Sequence, residues 1–136
     1  MPLFEAGTTF LDHRAINIQG EKPKYFIGMN NADFDDDVII AFVFDTEHKE
    51  ELKKSPGCHK GKQKFVLKPH ELSYLTSFTT VELATPRYYQ LKNICESNTV
   101  KILECADENL ARRIKNCIDM NYIVKKFHQL IKDSFK

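Results

Sequence analysis

The sequence lacks the features that mark membrane-spanning, secreted, fibrous and disordered proteins. No run reaches the ~18 consecutive apolar residues of a membrane-spanning helix, and the start, MPLFE, has neither the basic end nor the apolar run of a secretion signal. Glycine and proline are scarce, with 5 residues each, which excludes collagen-like and low-complexity chains. We therefore expect a cytoplasmic protein that has no membrane partner.

Motifs for metal, redox and nucleotide chemistry are also missing. The chain has four cysteines, which are Cys58, Cys95, Cys105 and Cys117. They form no Cys-x-x-Cys pair, so we expect free thiols and neither a metal nor a cofactor. The acidic run at residues 33 to 37 starts like a calcium loop, but Val38 stands where that loop needs glycine. A Gly-x-Ser-x-Gly hydrolase elbow and a Gly-x-x-x-x-Gly-Lys phosphate loop are both absent.

What the sequence does contain is typical of one ordinary globular domain. The chain has 136 residues, of which 42% are hydrophobic and 29% are charged. This length lies within the range of roughly 100 to 200 residues expected for a single domain. We therefore predict one domain over residues 1 to 136.

Short apolar segments predict strands in the first ninety residues. They lie at residues 7 to 18, 24 to 29, 38 to 46, 65 to 67 and 78 to 83. The third, VIIAFVFDT, is the most apolar run and favours a strand buried on both faces. Residues 47 to 64 predict a long exposed loop with a helical turn near its start. Because no helix long enough to cross between parallel strands separates these segments, the pairing should be antiparallel.

The periodicity becomes helical in the last thirty residues. One apolar face is formed by Leu110, Ile114, Cys117 and Ile118, and a second by Val124, Phe127, Ile131 and Phe135. Asp107 and Asn121 are suitable N-caps for these two faces. We predict an α+β fold in which a small antiparallel β-barrel, at about 4 to 104, precedes two amphipathic helices at about 107 to 119 and 122 to 135.

The net charge of +1 conceals separate acidic and basic segments. Residues 31 to 48 hold six acids and no lysine or arginine, whereas residues 49 to 70 hold seven lysines against two glutamates. Residues 110 to 136 hold seven basic residues against two acids. The basic segments are either solvated surface or surfaces that concentrate a polyanion.

Polyanion chemistry without a metal is the activity that these residue types best support. RNA can be cleaved by its own 2′-hydroxyl when side chains supply a base, an acid and a cation that stabilises the pentacovalent phosphorus. Lys24 begins the second predicted strand and Thr46 ends the third, so we predict both as catalytic residues. The predicted RNA-binding residues are Arg14, Lys22, Lys60, Lys62 and Lys64. The competing interpretation is that all of these are ordinary surface residues.

The order of three motifs resembles a known family. They are GTTF at residues 7 to 10, KPKYFI at residues 22 to 27 and VIIAFVFDT at residues 38 to 46. This order resembles the MazF/PemK-like toxins of bacterial toxin–antitoxin modules over roughly residues 7 to 90. That family has a Gly-Asp-like strand start, a Lys-x-Arg-Pro-like turn, and an apolar strand that ends in Thr or Ser.

The resemblance implies an SH3-like barrel, a homodimer and a metal-independent endoribonuclease that a protein antitoxin inhibits. By position, Lys24 takes the place of the family's phosphate-facing arginine and Thr46 that of its hydroxyl residue. A lysine lacks the planar fork that binds phosphate in two places, and Pro23 precedes the basic residue here instead of following it. This departure leaves open an inactive relative that only binds.

Three functions therefore remain open from the sequence. The first is a ribonuclease toxin that cleaves single-stranded RNA. The second is a non-catalytic barrel that binds RNA or a protein partner. The third is a structural or accessory protein that has no polyanion partner.

Overall fold

The computed structural model describes residues 2–13 and 23–135. Within these residues, the strands are β1 (Thr8–Asp12), β2 (Lys24–Gly28), β3 (Val38–Thr46), β4 (Gly57–His59), β5 (Lys64–Leu67), β6 (Thr79–Glu82), β7 (Arg87–Gln90) and β8 (Val100–Cys105). The helices are α1 (Glu50–Lys53), α2 (Leu91–Cys95), α3 (Glu108–Cys117) and α4 (His128–Asp133). The fold is therefore α+β, as predicted.

All eight strands belong to one antiparallel sheet. Its order is β4-β5-β6-β3-β2-β1-β8, and β7 also pairs with β3. The five predicted strands correspond to β1, β2, β3, β5 and β6, and residues 14 to 18 of the first prediction lie outside the described residues. The predicted antiparallel pairing of these strands is confirmed.

Strand β3 is the centre of the sheet because it pairs along both of its edges. β2 occupies one edge, while β6 and β7 follow one another along the other. Pro86 lies between β6 and β7, where it removes a backbone donor and interrupts the ladder. The C-terminal end of β3 therefore continues the sheet into β6 and β5. The rest of β3 pairs with β7 on that edge and with β2, which continues to β1, on the other.

Two apolar clusters cover the opposite faces of β3, as the alternation of side chains along a strand requires. Ile40, Phe42 and Phe44 belong to the larger cluster, which includes the buried side of α3. Ile39 and Ala41 belong to the smaller cluster, which includes Phe10, Phe26 and two residues of α2, Leu91 and Ile94. The expectation of a strand buried on both faces is confirmed.

Three strands escaped prediction because their sequences are short and polar or lie at the sheet's edge. β4 lies inside the predicted exposed loop, where α1 supplies the expected helical turn. β7 has an exposed sequence, RYYQ, and β8 has the alternating but largely exposed sequence VKILEC. These strands are specified by their pairing partners more than by their own apolar content.

The first predicted C-terminal helix is confirmed. The prediction of the second helix is wrong. Asp107 caps α3, because its side chain accepts from the Leu110 amide at 2.8 Å. The segment at 122 to 135 is not one helix, since 3-10 turns at Met120–Tyr122 and Lys125–Phe127 precede the short α4.

Tertiary contacts explain why the long second helix does not form. The Val124 amide donates to the Tyr88 hydroxyl at 2.9 Å, and the Ile123 carbonyl lies 2.9 Å from the His128 ring. Ile123 has an extended backbone and is buried, although it lies outside the predicted apolar face. Asn121 does not cap a helix, and the side chain of Asp119 accepts from its amide.

A disulfide joins Cys58 of β4 to Cys117 at the end of α3, with the sulfur atoms 2.02 Å apart. The expectation of free thiols is therefore wrong for this pair, whereas Cys95 and Cys105 are free. Spacing could not reveal the bond, because the two cysteines are 59 residues apart. Disulfides are rare in the reducing cytoplasm, so the bond is unusual for the expected location.

None of the helices in the described residues is long and apolar enough to cross a bilayer.

Candidate functional site

Lys24 and Asp45 form an ion pair across neighbouring strands. Phe26 of β2 is in register with Val43 of β3, which puts Lys24 beside Asp45 two residues further along. The Lys24 Nζ atom donates to Asp45 Oδ1 at 2.8 Å. The side chains of Lys24 and Asp45 are 24% and 45% exposed, so the ion pair lies at the surface of the protein.

Thr46 lies at the same end of β3 but on the other face. It is exposed and, together with Tyr25, Tyr74 and Ser77, lines a cavity of about 260 Å³. The Tyr25 and Tyr74 rings stack with centroids 5.0 Å apart, and burial raises the pKa of Tyr74 to about 12. Asp45 also lines this cavity, so it connects Thr46 to the ion pair of Lys24.

Asp12 is a buried carboxylate next to Lys24. It ends β1, is in register with Lys24 and is only 6% exposed. Its Oδ2 atom accepts from the Tyr89 hydroxyl at 2.9 Å. Burial, this hydrogen bond and the negative charge of Asp12 all raise the pKa of Tyr89, so the phenol stays protonated and continues to donate.

Arg87 contributes a second cation on this face. Its guanidinium carbon lies 5.3 Å from the centroid of the Phe26 ring, a distance typical of cation–π contacts. Phe26 stacks with Phe10 at 5.4 Å and meets Tyr89 edge to face at 5.6 Å. These rings form a rigid apolar base beneath the exposed guanidinium.

We call this arrangement the charged face, and it consists of Asp12, Lys24, Asp45, Arg87 and Tyr89. It contains two cations, two carboxylates and a phenol on four strands of one sheet, and the carboxylate of Asp12 is the buried one. Arg87, Tyr89 and Asp12 were missed by the sequence analysis. The alternation of Arg87 with Tyr89 could have placed them on one face of a strand, but nothing in the sequence brings β7 close to β1.

Three of the five predicted RNA-binding residues lie in the described part of the chain. Lys60 and Lys62 lie exposed in a 3-10 turn at the tip of the β4–β5 hairpin. Lys64 follows in β5, with Nζ 3.8 Å from Glu82 Oε1. Arg14 and Lys22 lie outside the described residues. Glu82 also interacts electrostatically with Asp45, the partner of Lys24, so Lys64 is linked to the charged face through two acids. Binding of RNA by these residues stays a prediction.

A second group of charges surrounds Glu47, two residues after Asp45. Its carboxylate accepts from the Thr80 hydroxyl at 2.5 Å and from the His48 and Lys49 amides at 3.1 Å. Burial opposes ionisation, but these hydrogen bonds and the nearby Lys64 outweigh it and lower the pKa of Glu47. Burial dominates at Glu82, whose pKa is raised. The hydrogen bonds of Glu47 hold the segment that follows β3 against β6.

The acidic run forms a turn. The Asp37 side chain accepts from the Asp33 and Phe34 amides, both at 2.9 Å, and these bonds lower its pKa. Backbone donors thus relieve part of the repulsion between these acids. Within the part of the chain that the structure describes, no three His, Cys, Asp or Glu side chains form a group that could hold a metal ion.

Comparisons of the chain with family models, with curated proteins and with solved structures found no match in any of the three. The resemblance to the MazF/PemK-like toxins therefore stays a prediction from sequence motifs. Any functional conclusion has to come from the geometry of the charged face.

Proposed function

We propose that the protein is the toxin of a bacterial toxin–antitoxin module and cleaves single-stranded RNA at the charged face without a metal. The observation that carries the proposal is the position of the buried Asp12 carboxylate, which is in register with Lys24 and hydrogen-bonded to Tyr89. Arg87 adds a second cation over Phe26 on the same face. These groups can supply a base and positive charge to one phosphodiester.

The chemistry is an in-line displacement at phosphorus. Asp12 takes the proton of the 2′-hydroxyl, whose oxygen attacks the adjacent phosphorus and forms the new P–O bond. Lys24 and Arg87 stabilise the charge of the pentacovalent phosphorus. The bond to the 5′-oxygen breaks, and the Lys24 ammonium gives that oxygen its proton. The products are a 2′,3′-cyclic phosphate and a free 5′-hydroxyl.

Arg87 can supply the guanidinium that is missing at position 24, where lysine replaces the family's arginine. A guanidinium presents planar, paired donors to a phosphate, whereas an ammonium acts as a point charge. In this proposal Arg87 provides the two-pronged hold and Lys24 the point charge. Tyr89 positions Asp12, and Thr46 contacts the RNA from the cavity on the other side of Asp45.

The remaining parts of the proposal follow from the family resemblance. They are an SH3-like barrel, a homodimer, a protein antitoxin and a cytoplasmic location. The antiparallel sheet divided at β3 is compatible with a small barrel. In the cytoplasm the Cys58–Cys117 pair would be held reduced.

The test is cleavage of a long unstructured RNA with a chelator present. We expect the wild type to cut, and Lys24→Ala, Asp12→Asn and Arg87→Ala to cut about a hundredfold more slowly or worse, since each removes a group that acts in the transition state. The matched control is Lys125→Ala, which removes an equal charge from an exposed position in the C-terminal 3-10 turn. Thr46→Ala should reduce cleavage less. Equal rates for the wild type and the first three variants would contradict the proposal.

The second candidate is a non-catalytic barrel that binds RNA or a protein partner. The ion pair between Lys24 and Asp45 favours it, because Asp45 offsets the charge that the reaction requires. A wild type that binds RNA but does not cut it, with binding weakened by Lys24→Ala, would select this function.

A further inference from the structure

A cavity of about 320 Å³ opens beside the charged face. It is lined by Asp12, Tyr89, Asn93, Ser97, Thr99 and Val100. These residues come from the end of β1, from β7, from α2 and from the connection into β8. The cavity is therefore built by three strands of the sheet, by α2 and by the connection between α2 and β8.

Several lining groups are held in place by hydrogen bonds within the protein. The Ser97 and Thr99 hydroxyls lie 2.7 Å apart, and the Thr99 amide donates to Ser97 Oγ at 3.1 Å. The Thr99 carbonyl accepts from the His13 amide at 2.9 Å, which joins the end of β1 to the start of β8. Asp12 is fixed by Tyr89. A ligand would thus meet an arrangement that is largely preformed.

The described lining of the cavity consists of hydrogen-bonding side chains and one apolar residue, Val100. None of the six lining residues that the structure describes is basic. Asn93 is exposed and offers an amide donor and a carbonyl acceptor side by side. That pair matches the hydrogen-bonding edge of an unstacked nucleobase. Val100 supplies an apolar surface beside it.

We propose that this cavity is a nucleoside subsite, in which Asn93 binds the edge of the base and Asp12 faces the ribose. The inference rests on the proposed RNA cleavage, because it assigns the nucleoside on the 2′-hydroxyl side of the cleaved phosphate. Asp12 connects the two sites, since it lines the cavity and is in register with Lys24. A nucleoside seated there directs its 3′-phosphate toward the cations.

The test is a titration of the isotope-labelled protein with each of the four 3′-nucleoside monophosphates, followed by amide chemical shifts. Inorganic phosphate is the control ligand. We expect nucleotides to bind more tightly than phosphate and to shift the amides of residues 93 to 100. Asn93→Ala should weaken nucleotide binding about fivefold, as the loss of one hydrogen bond would. The matched variant Asn116→Ala, an exposed asparagine in α3, should bind like the wild type.

Nucleotide binding no tighter than phosphate binding, or equal binding by the wild type and Asn93→Ala, would overturn the subsite. Mapping of RNA cleavage positions separates this failure from that of the proposed function. If Asn93→Ala cleaves RNA at the same positions as the wild type, the subsite proposal is wrong and the proposed nuclease function still holds. If the wild type binds nucleotides through Asn93 but does not cut RNA, the subsite proposal holds and the proposed nuclease function is wrong.

Discussion

The two faces of β3 use the same strand for different purposes. Phe42 and Phe44 point into the larger apolar cluster beneath α3. On the other face, Val43 lies at the edge of the smaller cluster and is followed by Asp45, which binds Lys24. The first face remains apolar along its buried length, while the second changes from packing to charge at the end of the strand. A rigid core thus holds the charged face in place.

The largest expected effect is on the face beneath α3. Phe42→Ala should lower the free energy of unfolding by about 3 to 5 kcal/mol, because it leaves a cavity around a fully buried ring. Val43→Ala, on the opposite face and only partly buried, should cost about 1 kcal/mol or less. Urea denaturation measures both values. Equal losses would show that the two faces do not differ as the structure indicates.

The disulfide is the next largest contribution, and it fastens α3 to β4 on the Phe42 side. Cys58→Ser should lower the free energy of unfolding by about 2 to 4 kcal/mol in the oxidised protein, because the long loop is no longer closed. Cys95→Ser, which changes an exposed free thiol, is the control.

A reducing agent should bring the wild type close to the stability of Cys58→Ser. If the wild type loses nothing on reduction, the bond contributes no stability in solution.

The smallest expected effect is the pH dependence of the charged end of β3. The pKa of Glu47 is lowered by folding, so its ionised form stabilises the protein above its ordinary value of 4.5. That stabilisation is lost as the pH falls through the lower, folded-state pKa. We expect Glu47→Gln to be less stable than the wild type at neutral pH, with a difference that shrinks in acid.

Glu82→Gln provides the comparison of opposite sign. Folding raises the pKa of Glu82, so its ionisation at neutral pH works against folding and its removal should relieve that cost. Unfolding curves from pH 2 to 7 measure both variants. If the free energy of unfolding changes with pH in the same way for both variants, the pKa shifts of Glu47 and Glu82 do not have opposite signs.

The sequence by itself determined the elements that are apolar or locally capped. VIIAFVFDT specifies β3 because a run of β-branched and aromatic residues must be buried on both sides. Asp107 and the apolar face that begins at Leu110 specify α3 through local spacing. These signals need only neighbouring residues. The sequence also located Lys24 and Thr46 at strand ends, where the structure places them.

Tertiary structure alone decided the features that depend on distant residues. The hydrogen bond to the Tyr88 hydroxyl and the burial of Ile123 determine the backbone of the C-terminal segment, although its apolar residues have a helical period. The pairing of Cys58 with Cys117, like that of Asp12 with Tyr89, joins residues more than fifty positions apart. No local pattern records such contacts, because they exist only after the sheet has brought its strands together.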